Sequence, residues 1–162
     1  MLQIEDYSPK YKPQIMEALF ELQKHEYSLS DTRKRASNKV CEKYFDEMLH
    51  ATQDQDGAIL VCLQKKQFTG FVCYRMESEE NAIEQKNSTH HALISDVCVL
   101  AKYRGQGIAQ RLFDAVFDNL CAKRFKGRVR ICALANNELA ARAYDLYGFE
   151  PYEITFQKWV TV

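Results

Sequence analysis

The chain has 162 residues, 46% hydrophobic and 27% charged, with 22 basic against 22 acidic side chains and a formal net charge of +0. That length supports one domain over 1–162 with a substantial core, and the charge balance argues against a protein that coats nucleic acid or another polyanion. No apolar run approaches a membrane span, and Met1-Leu2-Gln3-Ile4-Glu5 lacks the basic-then-apolar start of a secretion signal.

Leu2 to Tyr7 is a candidate strand. Ser8 and Pro9 suit a helix start, with Ser as cap and Pro in the first turn. Ile15, Leu19 and Leu22, flanked by Met16 and Phe20, carry a helical stripe to about Tyr27. Ser28 to Ser37 is polar and basic (Arg33-Lys34-Arg35) and reads as a loop. Val40, Tyr44, Phe45, Met48 and Leu49 mark a second helix, broken by Gln53-Asp54-Gln55-Asp56-Gly57. Ala58 to Gln64 and Phe68 to Met76 are apolar strands, joined by a tight hairpin at Lys65-Lys66-Gln67. Glu77 to Ser88 is acidic and reads as a loop. The next strand runs from about His91 to Leu100, with His90 and His91 read as exposed loop residues. A helix from Ile108 ends between Cys121 and Arg124, and Lys126-Gly127 is a turn. Val129 to Ala133 is another strand. Asn136 or Asn137 caps a further helix with Leu139, Ala140, Ala143, Tyr144 and Tyr147 on its faces. Gly148 stops it, and Phe149 follows. Tyr152 to Val160 is a final predicted strand. The order β-α-α-β-β-β-α-β-α-β describes an α+β protein with a mostly antiparallel sheet and one parallel crossover. The basic run from Lys123 to Arg130 suits a helix C-terminus.

The six cysteines are Cys41, Cys62, Cys73, Cys98, Cys121 and Cys132. None forms Cys-x-x-Cys, and metal-ligand spacing is absent. They read as small buried hydrophobes in a reducing compartment, with a cytoplasmic location as the default.

Ile94 to Leu112 carries the chemistry. Ile94 to Leu100 suits a buried strand, Arg104-Gly105-Gln106-Gly107 is a loop, and Ile108, Leu112, Ala115, Val116 and Leu120 follow helical spacing. Gly105 and Gly107 permit left-handed angles and close approach of a ligand. Their amides, the free amides of the helix start and the charge of Arg104 suit a phosphate or pyrophosphate. There is no Gly-Lys-Ser/Thr, which excludes a nucleotide-hydrolysing P-loop, and no third glycine with an acidic residue placed for a dinucleotide. Taken alone, the glycine pair also fits a plain strand-to-helix turn. Asp96 lies inside the apolar strand, where a carboxylate needs a partner. It orients an amine or the loop, or accepts backbone hydrogen bonds; both readings stand. No neighbouring motif activates Cys98, which reads as core.

Arg104, Gly107 and Ala109 form Arg-x-x-Gly-x-Ala after a strand ending in Val99. Downstream, Asn137 and Ala140 form Asn-x-x-Ala, and Tyr144 stands four residues before Gly148-Phe149. With the intervening elements in order, the chain resembles the GNAT superfamily of N-acetyltransferases over nearly its whole length. It departs at Ala101, where the family often has Pro. The resemblance implies a GNAT-like three-layer fold, a central mixed, mostly antiparallel sheet with helices on both faces. It implies acetyl-CoA as co-substrate and no metal. It places the backbone of Val97, Cys98 and Val99 along the pantetheine, where the strand splays from its parallel neighbour. It wraps Arg104, Gly105, Gln106, Gly107, Ile108 and Ala109 around the pyrophosphate. It puts Asn137 near the pantetheine arm and Tyr144 near the sulfur, as general acid for the departing thiolate. Some polyamine-acetylating relatives carry Glu-Asp where this chain has Ser95-Asp96, so a base at Ser95 is missing and Asp96 is the second catalytic candidate. The expected function is N-acetyl transfer to a primary amine of a small molecule or peptide, with no nucleic-acid or membrane partner; many members form homodimers. The alternative is a non-catalytic acyl-CoA-binding or regulatory domain of the same fold.

Overall fold

The computed structural model describes residues 1–160. Five strands lie side by side in chain order: β1 (Leu2–Asp6), β2 (Ala58–Gln64), β3 (Gln67–Ser78), β4 (His90–Val99) and β5 (Arg128–Ile131). The first four pair antiparallel, and β4 and β5 pair parallel. The sheet separates two apolar clusters. Val61, Leu63, Phe71 and Cys73 face α1 (Lys12–Leu29) and α2 (Asn38–Asp54). Their alternate neighbours Leu60, Cys62, Val72 and Tyr74 face α4 (Ile108–Ala122) and α5 (Glu138–Tyr147). The period-2 alternation of a strand produces this division. A single helical turn, α3 (Lys86–Thr89), leads into β4.

Local chemistry sets the ends of these elements. Ser37 caps α2, its Oγ accepting from the Val40 amide at 3.2 Å. Lys65 and Lys66 sit at φ 50° and 65°, the left-handed pair of a two-residue hairpin turn. Gly148, at φ 101°, ends α5. The Phe149 amide bonds the Tyr144 carbonyl at 3.0 Å and the Gly148 amide bonds the Asp145 carbonyl at 2.9 Å, the paired bonds of a Schellman cap. That turn packs Phe149 against Phe113, with ring centroids 5.6 Å apart, and Tyr147 lies on the same ring at 4.9 Å. Aromatic contact thus locks α5 to α4.

One irregularity matters for the site. Along β3 and β4 the register moves from Cys73↔Asp96 to Tyr74↔Ile94, leaving Ser95 as an extra residue. This is a β-bulge, which reverses side-chain parity. Ala92 and Ile94 pack on the α4 side, whereas Cys98 and Leu100 pack on the α1–α2 side. Asp96 falls after the reversal and meets α2.

Several expectations need correction. The final strand expected over Tyr152–Val160 is absent: this stretch has no regular structure, and Ile154, Phe156 and Trp159 are exposed. Its alternating pattern satisfies strand preference, yet it pairs with neither edge strand, β1 or β5. Its contacts back to the sheet region come through Tyr152, 4.6 Å from the Arg130 guanidinium and hydrogen-bonded to Glu84. β3 continues through Ser78 because Glu77 and Ser78 pair with His91 and His90. β5 stops at Ile131, two residues before the predicted end. His91 is buried rather than exposed, its Nε2 lying 3.6 Å from Glu77. Cys121 and Cys132 are exposed, while the other four cysteines are buried.

Candidate active site

Parallel pairing between β4 and β5 ends at Ile94↔Ile131. Beyond it, Ser95 to Val99 continues along β3 with its β5-facing edge unpaired among the described residues. The strands splay there, and strand-edge amides and carbonyls become available to a ligand.

Two adjoining cavities of about 440 and 760 Å³ open beside the splay, and both are lined by Tyr44, Glu47, Ser95, Asp96 and Cys132. Asp96 is only 7% exposed. The Tyr44 hydroxyl donates to both its carboxylate oxygens, at 2.9 and 3.1 Å. Burial raises the Asp96 pKa above the usual carboxylate range, and the charge of Glu26 adds to this, against the pull of the Tyr44 hydrogen bond. Burial and the neighbouring carboxylate also raise the Tyr44 phenol, so it stays protonated as the donor.

Tyr144 lies edge-on to Phe113 and Phe149, each centroid 6.1 Å away. Burial, then Glu26, Cys132 and Asp96, push its phenol up to about 12. Tyr144 packs with the α4-side cluster and lines neither cavity. The Cys98 thiol points the other way, donating to the Ala18 carbonyl at 3.3 Å, and burial pushes it up to about 12. It is a core thiol without nucleophilic character at neutral pH.

At the end of β4, Gly105 and Gly107 take φ of 74° and 75°. A side chain at Gly105 would meet nothing within 4 Å, so the requirement there is backbone conformation. Gly107 caps α4, and Ile108, 1% exposed, anchors the first turn beside Ala109. Gln106 is tied to Gln64 at 3.3 Å. The Arg104 Nε donates to the Val99 carbonyl at 3.0 Å, and its guanidinium lies 4.0 Å from Glu21. Beyond Gly107 lie the free amides and positive end of α4, chemistry that suits an anion, while the Arg104 side chain is held by Val99 and Glu21.

Asn137 caps α5, its Oδ1 accepting from the Ala140 amide at 3.3 Å and lying 3.5 Å from His25 Nε2. Asn136 donates to the Leu29 carbonyl at 2.6 Å, so the end of α1 closes onto the β5–α5 connection.

Tyr44, Glu26, Glu47 and Cys132 were not identifiable as site residues beforehand. Tyr44 shares the apolar stripe of α2 and reads as core from spacing alone. Two acids of the Glu77–Glu84 stretch are engaged elsewhere: Glu77 pairs with Arg75 at 2.7 Å and Glu84 lies 3.7 Å from Arg130. Among the described residues, no cluster of three His, Cys, Asp or Glu is gathered as for a metal.

Residues 16–149 match the model of the acetyltransferase (GNAT) family. Comparison with curated proteins finds no significant match. Among solved structures, a tetramutant of the BH1408 protein of Bacillus halodurans superposes with a TM-score of 0.81 at 18% identity, over 98% of this chain and 99% of that one. The aminoglycoside N-acetyltransferase AAC(6')-Iy in complex with CoA gives 0.70 at 16% identity, over 100% and 96%. Glucosamine-6-phosphate N-acetyltransferase from Arabidopsis thaliana gives 0.64 at 15% identity, over 99% of each chain. At these identities the neighbours speak to the fold, and the family model speaks to membership: the chain belongs to the GNAT acetyltransferase family.

Proposed function

We propose that the protein transfers the acetyl group of acetyl-CoA directly to a primary amine of a small molecule or peptide. The observation that carries this reading is the splay after Ile94↔Ile131, which joins an anion cradle at one end to a cleft floored by a buried carboxylate at the other. Two structural neighbours are named for amine-bearing acceptors, an aminoglycoside and glucosamine-6-phosphate, which supports an amine here.

The backbone of Val97, Cys98 and Val99 serves the pantetheine, and Arg104 to Ala109 serve the pyrophosphate. Asn137 borders the pantetheine arm. An alkyl ammonium of pKa about 10 must lose a proton before it attacks. Asp96, its pKa raised by burial, takes that proton, and Tyr44 holds its carboxylate in place. Tyr144 meets the departing sulfur. A phenol near 12 is a weaker acid than a thiol of about 8.5, so Tyr144 donates a hydrogen bond to the thiolate rather than surrendering its proton outright. Two protons leave the ammonium nitrogen: the first passes through Asp96 to solvent before attack, and the second, lost from the tetrahedral adduct, ends on the departing sulfur as the C–S bond breaks.

A thermal-shift titration tests the reading. Acetyl-CoA raises the melting temperature progressively, by an amount equivalent to about 2.7 kcal/mol at a hundred times Kd, and an amine panel then releases free thiol. No shift at saturation overturns the reading; a shift with no thiol from any amine favours a binding domain. Tyr144→Phe lowers kcat roughly 10–100-fold, the value of one hydrogen bond to a charged group, with acetyl-CoA affinity retained. Unchanged turnover removes Tyr144 from the mechanism.

A further inference from the structure

The cleft is electrically two-sided. Its floor and inner wall carry Asp96, Glu26 and Glu47. Its outer wall, formed by the α1–α2 connection and the first turns of α2, carries Arg33, Lys34, Lys39 and Lys43. Two of these cations have acidic neighbours: the Arg33 Nε lies 2.7 Å from Glu26, and Lys43 is 3.8 Å from Glu47. Among the described residues, Lys34 and Lys39 have no carboxylate within ion-pair distance. Both face the same cavity, and the positive end of α2 lies beside them.

The wall is held in shape. The Arg33–Glu26 pair clamps the connection to α1, and Gln23 donates from α1 to the Lys34 carbonyl. Ser37 then caps α2. The lysines therefore border a preformed space, not a loose loop. A ligand entering it meets carboxylates at the bottom and uncompensated ammonium groups at the rim.

We infer that the acceptor carries, besides its amine, one anionic group, a carboxylate or a phosphate, which sits between Lys34 and Lys39 while the amine faces Asp96. This narrows the substrate of the acetyltransfer reading above and rests on it. A diamine would place a second ammonium against like charge, and a plain alkylamine would leave both lysines unmatched.

The test compares matched acceptors of increasing chain length: ω-amino carboxylates and ω-aminoalkyl phosphates against alkylamines and diamines. Thiol release gives kcat/KM, and calorimetry gives binding to the CoA-loaded protein. The anionic member of a pair is preferred about tenfold, equivalent to roughly 1.4 kcal/mol. The preference lies in KM rather than kcat and shrinks as ionic strength rises. The carboxylate and phosphate arms show which anion fits. Lys34→Gln/Lys39→Gln closes the gap between members, and Lys34→Arg/Lys39→Arg keeps it open. Equal or higher kcat/KM with alkylamines or diamines overturns the inference, as does calorimetry in which the anionic member binds no tighter. Loss of the acetyl-CoA thermal shift overturns the underlying reading. A retained shift without anion preference overturns this inference alone.

Discussion

Asp96→Asn lowers kcat/KM by roughly 10²–10⁴-fold, the usual worth of a general base, and does so without weakening the fold. On the proposed reading, transfer by the native protein rises as pH climbs through the raised pKa of Asp96, because only the ionised carboxylate accepts a proton from the amine. That acidic limb is missing from the Asn variant. Tyr44→Phe provides the matching readout. Removing the hydrogen bond that favours the ionised form moves the limb to higher pH, a shift that a purely structural tyrosine would not cause. Stability runs in the opposite direction. A folded-state pKa above the unfolded one means that the folded chain binds the proton more tightly. The associated stability is complete below the ordinary carboxylate pKa of about 4 and is lost as pH rises through the raised value. Above that raised value the buried charge is a liability, and there Asp96→Asn melts at the same temperature as the native protein or higher. Lower turnover with undiminished stability is the mark of a group held in place for chemistry. Native turnover in the Asn variant would shift the proton to Glu26, Glu47 or water.

The element order through α5, the glycine loop before α4 and the α5 caps were legible because each is local. Gly105 and Gly107 adopt left-handed angles as their spacing implied, Asn137 caps α5, and Gly148 ends it. The fold family followed from two short motifs and an element order that composition does not obscure. The surroundings of Asp96 were not legible, because they depend on a tertiary event. Strict alternation along β4 would put Asp96 on the same face as Ile94, toward α4. The bulge at Ser95 turns it to the opposite face, where Tyr44 approaches from 52 residues away in sequence. A bulge exists only relative to a partner strand, so periodicity within β4 does not reveal it. The same limit explains the missing strand after Tyr152. Alternation states that a segment suits a sheet; whether an edge receives it is decided elsewhere. Gln53 to Gly57 and Lys65-Lys66 posed no such difficulty, since breakers and tight turns act within a few residues.

Gly70→Ala destabilises the protein by about 3 kcal/mol, through overpacking of a site that cannot yield. Gly70 pairs with Cys62 on one side and Val99 on the other. A methyl group there would collide with the Cys98 carbonyl oxygen and come within 3.1 Å of the Val99 Cα. Both are backbone atoms, so no rotamer change relieves the contact and β4 itself must move. The expected fall in melting temperature is roughly 6–12 °C for a chain of this size. The displaced segment, Val97 to Val99, is the one assigned to the pantetheine, so the Kd for acetyl-CoA rises alongside. Gly105→Ala separates conformation from space. Nothing lies within 4 Å of its missing Cβ, yet its φ is 74°, so it costs only the left-handed strain of about 1–2 kcal/mol. Thermal denaturation of the two variants, with acetyl-CoA titrated into each, distinguishes the mechanisms. If Gly70→Ala melted with the native protein and bound acetyl-CoA equally well, close approach of β3 would not be what holds the splayed edge of β4 in position.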